Sequence, residues 1–354
     1  MIRHSMWRSG GGGAVLRAVA LGLSLVLLQA CGPSSDSAGL PSSNDPAAGS
    51  AGPALGSSEE TLRASLNCSP GLETAQRPAI LLVHATAVTP DLNYGWNYIP
   101  ALDALGWPWC TVALPNQAMS DIQESAEFVV FAIREMHRIT GRKIQILGQS
   151  LGGHAPRWAL RYWPGTRDMV EDLVSFAAAN HGTPVVTILC LIGGCAPAVW
   201  QQNSASAYTR ALNCDTETYP QIAYTNIYTH TDEFVQPNLD DSGTSSLAGG
   251  DNVENVAVQD LCPVQLADHL TIGTSDAMAY ALAMDALTHE GPADPSRIPP
   301  SVCLQPFMPG VNPATFLIDL GTAAVEIVEQ LTFYPRVPAE PPLKDYVPQR
   351  CKQS

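Results

Sequence analysis

Gly148-Gln149-Ser150-Leu151-Gly152 places a serine between two glycines, each two residues away. A strand-like run, Ile144-Gln145-Ile146-Leu147, precedes it, and a helix-like run, Leu151 to Tyr162, follows at once. This is the pattern of a nucleophile elbow, in which a serine on a sharp strand-to-helix turn raises its hydroxyl above the sheet. Glycines on either side leave room for strand and helix to approach each other. The start of the helix brings backbone N–H groups and the positive end of the helix dipole to the same spot. The chemistry open to such a serine is nucleophilic acyl transfer. The alternative is a small polar residue in a glycine-rich turn. Glycine and serine are common enough in this chain for the pattern to arise by chance, so the flanking strand and helix favour the elbow.

A serine hydroxyl needs a base, and the base needs a partner that fixes its tautomer. On a strand–turn–helix site of this kind the chain order is serine, acid, histidine. His154 lies on the helix that Ser150 opens and is expected to point away. His181, in Asn180-His181-Gly182, follows a strand directly and is expected to shape a turn, and His230 precedes the acidic candidate. His269 and His289 both remain as bases. For the acid, Asp232 follows the apolar run Ile222 to Tyr228 at its C-terminal end, the edge at which open α/β sheets hold their sites. Asp268 is badly placed to accept from the Nδ1 of its own neighbour and reads as a loop-bonding carboxylate. Asp240 and Asp241 sit in a Ser/Gly-rich loop and read as solvated groups.

These residues need a scaffold, and the chain supplies alternating strands and helices. Pro78 to Val83 reads as a buried strand ending in His84-Ala85-Thr86, and Trp109 to Leu114 as a second. Ser120-Asp121-Ile122-Gln123 has the form of a capping box, with Ser120 as the N-cap. Ile122, Ala126, Val129, Val130, Ile133 and Met136 follow at helical spacing, and Gly141 supplies the left-handed stop. Lys143 to Leu147, Leu173 to Ala178 and Ala223 to Tyr228 read as further strands, and Val311 to Leu331 as a late amphipathic helix. Such alternation implies parallel pairing with right-handed crossovers. Apolar runs without period-2 alternation fit strands buried on both faces. The expected fold is therefore α/β.

The first thirty residues stand apart. Arg3, Arg8 and Arg17 give a basic start, and Ala18 to Leu28 form an apolar run well short of the ~20 residues that span a bilayer. They read as a signal peptide. Leu28-Gln29-Ala30-Cys31 resembles a bacterial lipobox, with Cys31 as the lipidated residue. Residues 31–61 are rich in Gly, Pro, Ser and Ala and read as a disordered tether spanning about 30 Å, with the folded domain over 62–354. The expectation is an exported, lipid-anchored protein of the bacterial cell envelope, at the outer membrane or cell surface, with release as the alternative. Setting Cys31 aside, the remaining eight of nine cysteines suit disulfides in an oxidising compartment. A net charge of −15 excludes a basic nucleic-acid footprint. No CxxC pair or HExxH helix suggests a zinc site; the expectation is a monomer without metal or cofactor.

A specific resemblance emerges from several stretches together. Ile80-Leu81-Leu82-Val83 with Thr86, Asn97-Tyr98-Ile99-Pro100, the serine elbow, Phe176-Ala177 with His181-Gly182-Thr183, Val199-Trp200-Gln201-Gln202, Thr231-Asp232-Glu233-Phe234-Val235-Gln236-Pro237 and Ala267-Asp268-His269 resemble, in the same order, the lipase B family of α/β-hydrolases. The resemblance covers roughly residues 66–310. It implies an α/β-hydrolase fold, a mostly parallel central sheet with helices on both faces. It implies carboxylic-ester hydrolysis with Ser150 as nucleophile, Asp232 as acid and His269, rather than His289, as base. Thr86 and the Leu151 N–H would form the oxyanion hole, and Gln149, Gln202, Phe234 and Val235 would contact the ester or lipid substrate. Cys68–Cys110 and Cys262–Cys303 correspond to disulfides of the family; the other four cysteines allow three pairings, of which Cys190–Cys195 with Cys214–Cys351 is the one expected.

Two positions depart from the family. Gln149 stands where a fungal relative has tryptophan, so that relative's stereochemical preference does not transfer; Ala85 stands where it has glycine, and is expected to tighten or shift that loop. Pro184 to Trp200 is strongly apolar and is either a pocket rim or buried core. An acyltransferase or polyester depolymerase would use the same three groups, and a silent binding module would retain the fold without the chemistry.

Overall fold

The computed structural model describes residues 51–191 and 193–353. The expected signal peptide over 1–30, the lipidation site Cys31 and the tether up to residue 50 lie outside the described residues.

Among the described residues, seven strands form one sheet in the order β1-β3-β2-β4-β5-β6-β7. They are β1 Leu66–Cys68, β2 Ile80–Val83, β3 Trp109–Val112, β4 Ile144–Gln149, β5 Val170–Phe176, β6 Ala223–Tyr228 and β7 Val253–Ala257. Every neighbouring pair is parallel except β1 with β3, in which Cys68 faces Cys110. All residues of β2, β3 and β4 are buried. The side chains of β2 divide by strand alternation: Leu81 and Val83 join one apolar cluster, Ile80 and Leu82 the other. That explains why the run Ile80-Leu81-Leu82-Val83 is apolar throughout: each face of the strand has its own helical layer to meet.

Several helices bear directly on the sheet. Helix α1 spans Glu59–Ser65, α2 Ile122–Thr140 and α3 Leu151–Tyr162, all with residues in the first cluster or capping it. Helix α4 spans Ala277–Thr288 and packs Met278, Leu282 and Ala286 into the second. A fifth helix, α5, spans Phe316–Phe333 and buries only Ala323. The sheet carries helices on both faces, as an α/β-hydrolase fold requires.

Several sequence expectations need correction. The N-cap of α2 is Asp121, whose side chain accepts from the Gln123 N–H at 2.9 Å. Ser120 instead accepts from Asn116 Nδ2. Gln201 explains the shift: its Oε1 takes the Ile122 N–H at 2.7 Å and its Nε2 binds Asp121 at 2.6 Å, so a distant side chain completes the cap. The tether expected to run to residue 61 also stops short. Trp163 Nε1 donates to the Pro53 carbonyl at 2.8 Å, and Glu127 accepts the N–H groups of Gly56 and Ser57 at 2.5 and 3.3 Å. Ser58 caps α1. A Gly/Pro/Ser-rich segment has little apolar surface, but here α2 and the end of α3 satisfy its backbone, and it docks.

The eight cysteines among the described residues form four bridges, Cys68–Cys110, Cys190–Cys195, Cys214–Cys351 and Cys262–Cys303. Cys214–Cys351 ties the last described turn to the core across 137 residues.

Candidate active site

Ser150 follows β4 and occupies the N-cap of α3 with φ 54° and ψ −119°. This left-handed backbone costs about 1–3 kcal/mol for a residue with a side chain. Two hydrogen bonds hold it: the Ser150 N–H donates to Phe176 O at 2.8 Å, and Ser150 O accepts from Gly153 N–H at 2.9 Å. The flanking glycines are required by contact. A Cβ on Gly148 would overlap the Gly152 carbonyl, and one on Gly152 would overlap the Val83 carbonyl. Strand and helix meet too closely for any other residue.

The side chains converge as follows. Ser150 Oγ lies 3.0 Å from His269 Nε2, and His269 Nδ1 lies 2.9 Å from Asp232 Oδ2. Asp232 is 3% exposed, and its Oδ1 accepts the N–H groups of Phe234 and Val235 at 2.9 and 2.7 Å. The carboxylate is thus fixed from behind by its own loop. As an acceptor beside Nδ1 it places the imidazole proton there, which leaves the Nε2 lone pair toward Ser150. Burial works against charging His269, but the charge and hydrogen bond of Asp232, with Glu233 and Asp268 adding, outweigh it and hold its pKa above 6.5. The His269 backbone N–H is itself held by Glu233 at 3.0 Å.

The other histidines lie elsewhere. His154, on α3, packs against Tyr208, His181 pairs with Glu217 at 2.9 Å, and His230 meets the Asn238 carbonyl. His289 sits at the opposite edge of the sheet with Lys143, Glu171 and Asp172. Asp268 accepts from Leu270 and Thr271 N–H, a loop-bonding role. Asp240 and Asp241 are exposed, although Asp241 also accepts from the Tyr228 hydroxyl at 2.7 Å.

The two expected oxyanion donors flank the serine. Leu151 opens α3, so its N–H lies outside the i→i−4 ladder of the helix. Thr86 follows β2 on the loop opposite. Gln202 Nε2 donates to the Ala198 carbonyl at 3.2 Å, which sets the orientation of its amide, and also to Thr86 Oγ1 at 3.1 Å. Thr86 therefore accepts from Gln202, and its own hydroxyl proton is free to point elsewhere. Gln202, expected to contact substrate, lines the cavity, and its amide also bonds Thr86 there.

A cavity of about 380 Å³ opens above Ser150, within the range of small-molecule sites. Phe234 lines it, 40% exposed, with its ring edge-on to His269 at 5.5 Å. Val235 also lines it but is buried. Gln149 reaches the cavity wall with its amide bonded to protein: Nε2 donates to the His269 and Leu270 carbonyls, and Oε1 accepts from Asn93. The apolar stretch 184–200 serves both readings. Val186 and Leu189 line the cavity and Ile188 is exposed, whereas Ala196 and Ala198 are buried. Sequence reasoning missed the opposite wall, formed by Leu320, Ala323, Ala324, Ile327, Val328 and Leu331 of α5. The signal was present as an i, i+3, i+4, i+7 spacing of apolar residues, but spacing does not say what a helix covers.

No family model matches the chain. It is 33% identical over 252 residues to lipase B of Pseudozyma antarctica, covering 70% of each chain. The structure of Aspergillus fumigatus lipase B is similar at a TM-score of 0.78 and 27% identity, over 84% of this chain and 74% of that one. An α/β-hydrolase sheet, a strained serine between its strand and helix, and this degree of identity lead to one assignment: the chain belongs to the lipase B family and is a carboxylic-ester hydrolase of the lipase/esterase type.

Proposed function

We propose that Ser150, His269 and Asp232 perform this hydrolysis as nucleophile, general base and orienting acid. Ser150 Oγ attacks the ester carbonyl carbon while His269 Nε2 takes the hydroxyl proton. The carbonyl π pair moves to oxygen, where the Leu151 N–H and the Thr86 hydroxyl donate to the developing charge. Collapse of the tetrahedral intermediate breaks the C–O bond, and His269 returns its proton to the departing alcohol. Water then attacks the acyl-enzyme with His269 again as base, releasing the acid and free Ser150. Asp232 keeps the Nδ1 proton in place and stabilises the imidazolium.

The observation that carries this reading is the unbroken contact Ser150 Oγ–His269 Nε2–His269 Nδ1–Asp232 Oδ2, at 3.0 and 2.9 Å. Its test is hydrolysis of p-nitrophenyl butyrate by Ser150→Ala, which should fall to the level of buffer. Activity near that of the parent protein would assign the chemistry to another residue.

The substrate is an ester with an apolar acyl group, held beside Phe234 and Val235 and beneath α5. Supporting this is the apolar lining of the cavity, which includes Val186, Val199, Ile327 and Leu331 and the exposed Leu189 and Val328. The chain works as a monomer on the cell envelope of a bacterium, exported by residues 1–30 and anchored through Cys31. What supports the anchor is the small residue and cysteine that close the apolar run. Cys31→Ala should move the protein from the membrane to the soluble fraction; unchanged membrane recovery would remove the anchor. Light scattering at micromolar concentration should give the mass of one chain, and a stable dimer would refute the monomer.

A further inference from the structure

Gln149 immediately precedes Ser150, and it is 1% exposed. A buried glutamine must place two donors and an acceptor, and this one has partners for all three. Its Nε2 donates to the carbonyls of His269 and Leu270, each at 3.1 Å. Its Oε1 accepts from Asn93 Nδ2 at 2.6 Å. Asn93 is 2% exposed, and its Oδ1 accepts the Ala85 N–H at 2.8 Å. The amide orientations are mutually fixed, because two carbonyls require the NH₂ of Gln149 and the Ala85 N–H requires the oxygen of Asn93.

The chain of bonds therefore runs from the loop carrying Thr86, through Asn93 and Gln149, to the loop carrying His269. The two loops are far apart in sequence, and both line the cavity with Ser150. The His269 loop has no strand or long helix of its own between Cys262 and Leu270. Gly273 adds a second observation. A Cβ there would overlap the Gln149 side chain, so the segment after His269 closes down on this amide.

We propose that Gln149 is a positioning residue that holds the His269 loop and the Thr86 loop in register about Ser150. It does not touch the reacting atoms. It sets the His269 backbone at the distance from which Nε2 reaches Ser150 and Nδ1 reaches Asp232, and through Asn93 it sets Thr86 on the other side. A relay of buried amides suits this task, because each member has a single satisfied orientation, whereas apolar packing would tolerate sliding. The inference rests on Ser150 and His269 being the reacting pair.

Two variants test it. Gln149→Met keeps the length and removes all three hydrogen bonds. Gly273→Ala removes no polar group but pushes the amide aside. Both are compared with the parent protein for thermal unfolding, for kcat and KM on p-nitrophenyl butyrate, and for the pH dependence of kcat/KM. Each should lower kcat by about 10–100-fold with KM within about threefold, the cost of misplacing reacting groups by a fraction of an ångström. The acid limb of kcat/KM should also move to lower pH, because a looser Asp232 contact lets the His269 pKa fall. A purely structural role would lower the unfolding temperature without moving that limb. Should Gln149→Met not fold, Gly273→Ala decides alone. Unchanged kcat and limb would overturn the proposal, and a loss confined to KM would make Gln149 a substrate contact instead. Activity surviving in Ser150→Ala is a separate outcome, which removes the reacting pair itself.

Discussion

Asp232 gives one carboxylate oxygen to His269 Nδ1 and the other to two backbone N–H groups of its own loop. The division fixes what Asp232→Asn would do. The backbone N–H groups of Phe234 and Val235 still demand an oxygen, so the new amide must turn its NH₂ toward His269. Nδ1 then accepts instead of donating, and the proton moves to Nε2, facing Ser150. Ser150, the proposed nucleophile, would lose His269 as its base without loss of shape. We expect kcat to fall by about 10⁴-fold with the fold intact, as measured by p-nitrophenyl butyrate turnover and circular dichroism. A loss under tenfold would mean that the tautomer is set by something else.

Activity and the stability contribution of His269 should run in opposite directions with pH. As the proposed base, His269 must be neutral to act, so kcat/KM should rise through its pKa, with an acid-limb midpoint above 6.5. The same raised value means that the folded state binds its proton more tightly than the unfolded chain. That stability is complete below about 6.5 and is lost as pH rises through the folded value. A pH titration of kcat/KM beside urea unfolding checks both, and a midpoint below 6.5 would contradict the first.

A second acid lies far from the site. Burial pushes the Asp172 carboxyl up to about 7 from 3.8, against the opposing hydrogen bond of Gln145. Between those values the folded state holds a proton that the unfolded state has released, so stability falls as pH rises through this window. Asp172→Asn should remove that loss. It should raise the unfolding temperature at pH 8 by a few degrees while changing it little at pH 4, read by differential scanning calorimetry. An equal effect at both pH values would mean that Asp172 does not titrate in this range.

Thr86→Val keeps the shape of the side chain and deletes its hydroxyl. If that hydroxyl meets the developing oxyanion, kcat falls by about 10²–10³-fold, equivalent to ~3–4 kcal/mol, with KM nearly constant. Stopped-flow or steady-state turnover gives the answer, and a change in KM alone would place Thr86 in ground-state binding.

The wall built by α5 should tune acyl length. Ile327→Trp adds bulk inside a cavity of about 380 Å³. It should depress kcat/KM for p-nitrophenyl decanoate at least tenfold more than for the acetate. Equal effects on both esters would place the acyl chain elsewhere.

The elements that position the site were legible because their patterns are local. The strand before Ser150 and the helix after it, and the apolar runs at β2 and β6, are each readable within a few residues. The short edge strand β1 was not, since three residues carry no period. Strand β7 was missed because its partly exposed Glu254 and Asn255 interrupt the apolar run. Helix α4, rich in alanine and apolar all round, offers no amphipathic stripe. The triad candidates were reached through residue order, helped by resemblance in choosing His269 over His289. The Asn93–Gln149 relay was not legible, because hydrogen bonds between residues 56 and 120 positions apart leave no spacing signal. The Asp121 cap was misread for the same reason, since Gln201 reaches it from 80 residues away.

Reaction with a fluorophosphonate followed by peptide mapping tests the chemistry at its source. A phosphonylated Ser150 in the parent protein, formed at least about 10³-fold more slowly in His269→Ala, is the predicted result. Ester hydrolysis that continues while Ser150 stays unmodified, or an inhibiting adduct on a different residue, would contradict it.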